Sequence, residues 1–366
     1  MISDLVLDDR LSSRLFTSDE VFEAEIELIW RRVWVYVGHE SEVPLPADLV
    51  QRSIGIDPVS MSREPDGSIA VRTTTGGAVS RVASYRGFVF ASLAPDGITL
   101  EAHLGNAAPY IDRFCDLAPT GRVVITPSVL KTRYFANWKL ILDNAVDGYH
   151  PVFLHQAMFK SYRGQTPTQW YSDDAGVVNA ALGSGHAILD FADQNRKDRG
   201  GVLAGVASSM REYLEREYVD ALARRLGSEQ ARRLTDEGYS NVAIFPNLLL
   251  VQQDVRTVEP LSVAETIVFN RAALLEGASD EINLARIRQQ SRSYGPAGVV
   301  TPDDFEIFER CQRAFATGAP DWMLLSRGAW REQHTADGTI VGRATDEVGH
   351  RGIWRHYRYV MTRPSE

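Results

Sequence analysis

The sequence predicts an α+β chain. Three observations carry this: strand-type runs dominate residues 33–93, strand and helix signals then mix from Pro109 onward, and no regular alternation of strand and helix marks a doubly wound sheet. With 366 residues, 44% of them hydrophobic, the chain can bury one large core or two ordinary ones.

The elements follow in order. Thr17-Ser-Asp-Glu20 reads as a capping box, and Val21, Phe22, Ile26 and Ile29 recur at helical spacing, so a helix is expected to run to about Arg32. Val33–Val37 reads as a strand. Residues 50–71 hold short strands separated by the turn signal Pro65-Asp66-Gly67, and Thr73-Thr-Thr-Gly-Gly77 reads as a loop. Arg86–Leu93 is apolar enough for a strand covered on both faces. Around Tyr134–Lys160 the signals conflict, because Pro151 interrupts a helical pattern. Val206–Leu234 reads as a charged amphipathic helix with a break at Gly227. Ala243–Val251 and Ala264–Phe269 read as two strands joined through the turn Glu259-Pro260-Leu261-Ser262, and Asp303–Phe315 as a helix.

Composition narrows the function. A net charge of −9 without Lys/Arg-rich blocks argues against nucleic acid or an anionic membrane as partner, while leaving room for a basic redox partner. Cys115 and Cys311 stand alone and far apart, which excludes a disulfide framework and a thiolate-rich metal site and points to a reducing cytoplasm. The first ten residues lack the basic and apolar regions of a signal peptide, and no apolar run is long enough to span a bilayer.

Chemistry concentrates in Asn137–His155. His150 and His155 are candidate imidazole ligands, with Asp143, Asn144, Asp147 and Tyr149 set among apolar neighbours; two imidazoles and a carboxylate on one face are what Fe(II) needs to activate O2 with positions left open. Five residues exceed one helical turn, so a distorted helix end at Pro151 would have to aim both rings at one point. From the pair alone, two ordinary histidines are the better reading.

The whole run, however, matches N-W-K-x3-[DE]-N-x2-D-x-Y-H-x4-H at every fixed position and so resembles the Rieske-type aromatic ring-hydroxylating dioxygenase large subunits. The resemblance implies that His150 and His155 hold a mononuclear iron and that a distant aspartate completes the set. Gly295-Pro-Ala-Gly-Val-Val-Thr-Pro-Asp-Asp304 with Glu309-Arg-Cys-Gln312 resembles the family's C-terminal iron segment, which assigns Asp304 as the third ligand. Capping of the following helix is the plainer use of an Asp pair, and Asp303 suits it. Asp147 falls where the family keeps an aspartate between electron donor and iron, a place to fix the tautomer of a ligating histidine; a solvated loop Asp is the alternative. Asn144 is expected to border the substrate channel, and Tyr149 to pack. Further segments resemble the family: Phe22–Glu42, Ser84–Leu93, Phe245–Leu250 and Trp322–Gly328. His39 is expected to be structural, and His186 either lines the pocket or sits in an ordinary loop.

By resemblance the fold is a helix-grip, Bet v1-like antiparallel sheet with helices over residues 106–366, preceded by a packing segment (1–35) and a truncated Rieske-like β domain (36–105). The implied reaction adds both atoms of O2 to an aromatic ring, and the benzoate- and anthranilate-like branch points to an aromatic carboxylate. A reductase or ferredoxin carrying electrons from NADH, a β subunit, and a homotrimer or α3β3 assembly are the implied partners.

One departure stands out. A Rieske [2Fe–2S] centre needs C-x-H and C-x2-H, yet Cys115 is followed by Asp-Leu and Cys311 by Gln-Arg. The chain passes from Glu64–Ala70 through Val71–Gly77 to Tyr85 with no room for cluster-binding lobes. A variant fed by another chain's cluster, a degenerate or regulatory homologue, and a deletion all fit. So do two functions besides an oxygenase: a non-enzymatic binding or assembly protein, and a zinc hydrolase, the latter disfavoured by the absence of an HExxH pairing.

Overall fold

The computed structural model describes residues 2–163, 176–198 and 208–362. Its centre is a ten-stranded antiparallel sheet. From one edge its strands are Gln333–His334, Ile340–Arg343, Val178–Gly183, His186–Asp190, Asn241–Ile244, Leu248–Val251, Asp254–Ser262 and Glu265–Leu275; both Val123–Ile125 and Leu130–Tyr134 pair with the last of these. Ahead of it lie two three-stranded sheets. One is formed by Val35–His39, Phe88–Ser92 and Arg81–Tyr85, the other by Leu49–Ile54, Asp57–Arg63 and Ile69–Thr73.

The large sheet buries both faces. Leu249, Val258 and Val268 pack with Ile141, Leu142 and Ala145 of the Lys139–Ala145 helix, whereas Leu248, Leu250 and Val255 pack with Ile111, Leu222 and Leu234 on the other side. Strand residues two apart share a face, so this alternation gives one sheet two separate cores.

The N-terminal helix departs from expectation in detail. Ser18, not Thr17, is the cap: its Oγ accepts from the Val21 backbone at 3.3 Å, and the helix runs Asp19–Glu25 before widening into a π turn over Ile26–Trp30. Glu25 is fully buried. Its carboxylate accepts from Lys139 Nζ at 2.5 Å, Trp138 Nε1 at 2.8 Å and Tyr357 Oη at 2.6 Å, tying the N-terminal segment to the helix that carries the candidate site and to the C-terminal helix Val348–Thr362.

Residues 241–275 correct the two-strand reading: they form four strands. The apolar run breaks at Phe245-Pro246-Asn247, where the Asn247 side chain accepts from the Tyr36 backbone N–H and donates to the Tyr36 carbonyl, both at 2.9 Å. Glu259–Ser262 lies inside a strand, and the chain reverses at Val263-Ala264 instead. Of the expected helix Val206–Leu234, Val206 and Ala207 lie outside the described residues. The rest divides at Gly227, as expected, into Ser208–Leu226 and Ser228–Glu237.

The connections after Arg63 and after Thr73 both close as tight turns. Glu64 and Gly67 make a turn in which Gly67 N donates to Glu64 O at 2.9 Å and the Asp66 carboxylate accepts from Ser68 N at 2.9 Å. In the next, Gly76 N donates to Thr73 O at 2.8 Å and Thr73 N to Gly77 O at 2.9 Å. Gly67 and Gly76 both adopt positive φ, the conformation such turns demand.

Candidate metal centre

Asn137 starts the helix that approaches the centre. Its side-chain oxygen accepts from Lys139 N at 3.1 Å, and its amide donates to Val263 O at 2.7 Å. After Ala145 the helix stops, and the Asp147 carboxylate turns the chain: Oδ1 accepts from Tyr149 N at 2.8 Å and Oδ2 from His150 N at 2.9 Å. Gly148 is required here, since a Cβ would lie 2.1 Å from the Ala344 carbonyl oxygen. A new short helix, His150–Leu154, then begins with Pro151 in its first turn, where the missing N–H costs nothing. This resolves the conflict at Pro151. His150 opens the short helix and His155 closes it, so both rings face one point with centroids 5.4 Å apart.

The third side of that point comes from the Thr301–Ala316 helix, whose first turn carries a buried Asp304. One ligand atom from each of His150, His155 and Asp304 lies within 4.8 Å of the others. Asp304 Oδ1 is 3.7 Å from His150 Nε2 and 3.2 Å from His155 Nε2. Asn144 Nδ2 sits at the same focus, 3.0 Å from His150 Nε2 and 3.1 Å from Asp304 Oδ1.

The outer edges of the rings are also held. His150 Nδ1 is 3.1 Å from Asp147 Oδ2, and His155 Nδ1 is 3.5 Å from Asp303 Oδ2. A carboxylate can only accept, so the Asp147 contact places the His150 ring proton on Nδ1, and the Asn144 amide donor meets Nε2 as a lone pair turned inward, whereas His155 has a carboxylate at each ring nitrogen, Asp303 at Nδ1 and Asp304 at Nε2. His155 Nε2 is buried and lies against Asp304 Oδ1 at 3.2 Å. Donors of this type, two imidazole nitrogens and one carboxylate oxygen converging on one point, suit Fe(II).

Electrostatics follow from burial and partners. Burial opposes charge on Asp147, but the hydrogen bond and charge of His150, with the charge of His350 and the Tyr149 N–H, hold its carboxyl well below the usual range. For His155, burial disfavours the charged ring, and Asp304 and Asp303 outweigh it, so the ring is raised above its ordinary value. Burial pushes Asp143 up to about 6, with His350 and the Trp354 indole, 3.1 Å away, drawing it back.

All five candidate residues named from sequence are therefore brought together: Asn144, Asp147, His150, His155 and Asp304. Sequence reading missed Asp303 as the partner of His155. It also missed Asn179, which donates to Val146 O at 2.7 Å and accepts from Gly349 N at 2.7 Å, fixing the end of the first helix to the C-terminal one. Neither has a local signal, because each acts across a long stretch of chain. Tyr149 packs as expected, its ring 4.8 Å from Phe153 and 3.5 Å from the Arg327 guanidinium. His186 takes no part: its ring bonds His103 O at 2.8 Å and Phe245 N at 3.0 Å within the core. His39 is structural, buried and capping the turn at Glu40–Glu42.

Comparison with known proteins bears on the family and the fold. A family model described as "Ring hydroxylating alpha subunit (catalytic domain)" matches residues 114–362. The 2-halobenzoate 1,2-dioxygenase large subunit of Burkholderia cepacia is 27% identical over 404 residues, covering 90% of this chain and 83% of its own. Anthranilate 1,2-dioxygenase large subunit of Acinetobacter baylyi is 26% identical over 381 residues, covering 87% and 80%. Both alignments run longer than this chain's 366 residues, so the relatives carry segments that are absent here. In fold, the chain is similar to a naphthalene 1,2-dioxygenase with indole bound in the active site, with a TM-score of 0.83 at 20% identity over 98% of this chain and 93% of that one. No described helix is long and apolar enough to cross a membrane. Matched over more than half its length by the catalytic-domain model, the chain belongs to the ring-hydroxylating alpha-subunit family.

Proposed function

We propose that this chain is an iron-dependent oxygenating subunit that acts on an aromatic acid, holding Fe(II) through His150 Nε2, His155 Nε2 and Asp304 Oδ1. The observation that carries the reading is the convergence of one ligand atom from each of His150, His155 and Asp304, all within 4.8 Å of one another. Bound there, iron supplies the one-electron chemistry by which O2 reacts with an aromatic ring. The chain's own residues prepare the place. Asp147 keeps the His150 ring proton on its outer nitrogen, Asp303 holds the outer edge of the His155 ring, and Asn144, beside the ligands, borders the space a substrate enters. The relatives named for halobenzoate and anthranilate support a ring bearing a carboxylate.

In this reading residues 106–366 form the catalytic unit and residues 36–105 a β platform without a cluster. Electrons then arrive from a cluster on another chain, fed by a reductase, and a trimer or α3β3 assembly would bring such a chain close. The closed turns at Gly67 and Gly76 support a chain built to fold without the lobes. Binding without turnover is the second reading, favoured by the missing C-x-H and C-x2-H motifs.

Anaerobic titration with Fe(II) tests the site. We expect one iron per chain, lost in His150→Ala and Asp304→Ala; a wild-type protein that takes up none sinks the reading. Product formation with a reductase and a cluster-bearing homologous subunit separates the two readings, since turnover must depend on this chain's His150.

A further inference from the structure

A group of buried polar atoms without hydrogen bonds among the described residues lies at the inner face of the large sheet. Arg256 stands opposite Leu249 on one neighbouring strand and Asn270 on the other. It shares its face with Asp254 and Val258, and Leu249 and Val258 belong to the core that includes Ile141, Leu142 and Ala145 of the helix carrying Asn144. The guanidinium therefore looks toward the side of the sheet where the triad is assembled.

Contacts link it to the triad. Arg256 lies over the Tyr294 ring at 4.2 Å, and Tyr294 ends the Asp280–Tyr294 helix. The adjoining Ser293 carbonyl accepts from Val300 N at 3.0 Å, and the Val300 carbonyl accepts from Asp304 N at 3.2 Å. Burial first, then the charges of Asp254 and Asp304, push the Tyr294 hydroxyl upward against the pull of Arg256, so the ring feels both the arginine and the triad.

Arg256 is 5% exposed, yet among the described residues its Nε and Nη2 meet no hydrogen-bond partner, nor does either Asp254 carboxylate oxygen, Asn270 Oδ1 or Gln290 Nε2. Arg256 Nη2 and Asp254 Oδ2 form a buried ion pair at 3.6 Å, longer than a hydrogen bond. Interiors rarely leave so many polar atoms without hydrogen bonds, and a guanidinium held by charge alone keeps donors for a second anion.

Resting on the function proposed above, we propose that Arg256, steadied by Tyr294 and facing Asn270, anchors the carboxylate of the aromatic substrate and so turns its ring toward His150, His155 and Asp304. A planar guanidinium meets a carboxylate through two parallel hydrogen bonds, which fixes orientation as well as charge. A neutral aromatic ligand would leave the arginine unmatched, so the site selects acids over amides or hydrocarbons. Burial raises Asp254, and Arg256 chiefly draws it back.

The test is anaerobic calorimetry of the full chain, metal-free and Fe(II)-loaded, with benzoate and its neutral isostere benzamide. The wild type should bind benzoate more tightly than benzamide. In Arg256→Met the benzoate affinity should fall by roughly 10- to 100-fold, the loss of one charge-assisted pair, while benzamide binding and iron content stay unchanged. Should that variant fail to fold, Asp254→Asn combined with Arg256→Met removes both buried charges and must show the same loss of preference. A benzoate preference that survives in the folded variant, or its absence in the wild type, overturns the proposal. Loss of iron binding in the wild type instead overturns the metal reading alone, because the ligand preference is read on the metal-free chain too.

Discussion

Asp147 accepts from both ends of His150: its Oδ2 lies 2.9 Å from the backbone N–H and 3.1 Å from ring Nδ1. One carboxyl group thus sets where the short helix begins and which ring nitrogen carries the proton. Asp147→Asn should keep the acceptor for Tyr149 N but turn an amide N–H toward His150, costing the turn one hydrogen bond and allowing the wrong tautomer. We expect iron affinity to fall by roughly 10- to 100-fold, with about 1 kcal/mol lost from folding. Competition with a calibrated chelator measures it, and unchanged affinity would remove Asp147 from the account of the site.

Glu25 is more costly to lose. It is fully buried, and it compensates a Lys139 that is also buried. Glu25→Ala strands the ammonium in the core, so the expected loss is about 3–5 kcal/mol of unfolding free energy. Replacing both, Glu25→Leu with Lys139→Met, should recover most of it, because neither charge then needs a partner. Urea unfolding of the wild type and both variants reads the comparison; equal losses in the single and paired variants would contradict it.

The candidate site was more legible in the sequence than the sheet around it, and the reason is physical. His150, His155, Asn144 and Asp147 sit within one run whose spacing the local turn geometry dictates, so a pattern preserves them. Asp304 lies far along the chain and was found through its resemblance, not from spacing. The strands between Asn241 and Leu275 were misdivided because Ala243–Val251 is apolar on both faces, which hides the alternation that marks a strand's ends. Their break depends on Asn247 bonding Tyr36, a contact between segments far apart in the chain. Pro260 misled in the opposite direction, since a turn-type residue is tolerated there beside a bulge at Pro260–Ser262.

Asp143 makes stability depend on pH. Burial raises it from an ordinary value of 3.8 to about 6, and the neighbouring Asp147 charge adds to this, while His350, the Trp354 indole and Lys139 act against it. The folded chain therefore holds this proton more tightly than the unfolded chain does. Its contribution favours folding below the unfolded value, falls as pH rises through the interval up to about 6, and is level above. Asp143→Asn still accepts from Trp354 but cannot titrate, so its melting temperature should vary less across that interval than the wild type's. Parallel thermal melts of the metal-free proteins check this. A wild-type slope equal to the variant's would show that Asp143 titrates normally.

The last expectation concerns the electron supply. A [2Fe–2S] cluster is held by thiolates and imidazoles, and this chain offers only Cys115 and Cys311. Cys115 is buried in the Ala108–Asp116 helix, and burial pushes its thiol up to about 12 despite the nearby Arg86, so it resists becoming the thiolate a cluster needs. Cys311 is also raised by burial. The connections at Gly67 and Gly76 close as tight turns on their own backbone hydrogen bonds. Protein reconstituted anaerobically with iron and sulfide should therefore hold one iron per chain and no acid-labile sulfide. It should oxidise no substrate with reductase alone, and should gain turnover when a cluster-bearing subunit is added. Labile sulfide bound in stoichiometric amount would show a cluster site on this chain, and the external donor would then be unnecessary.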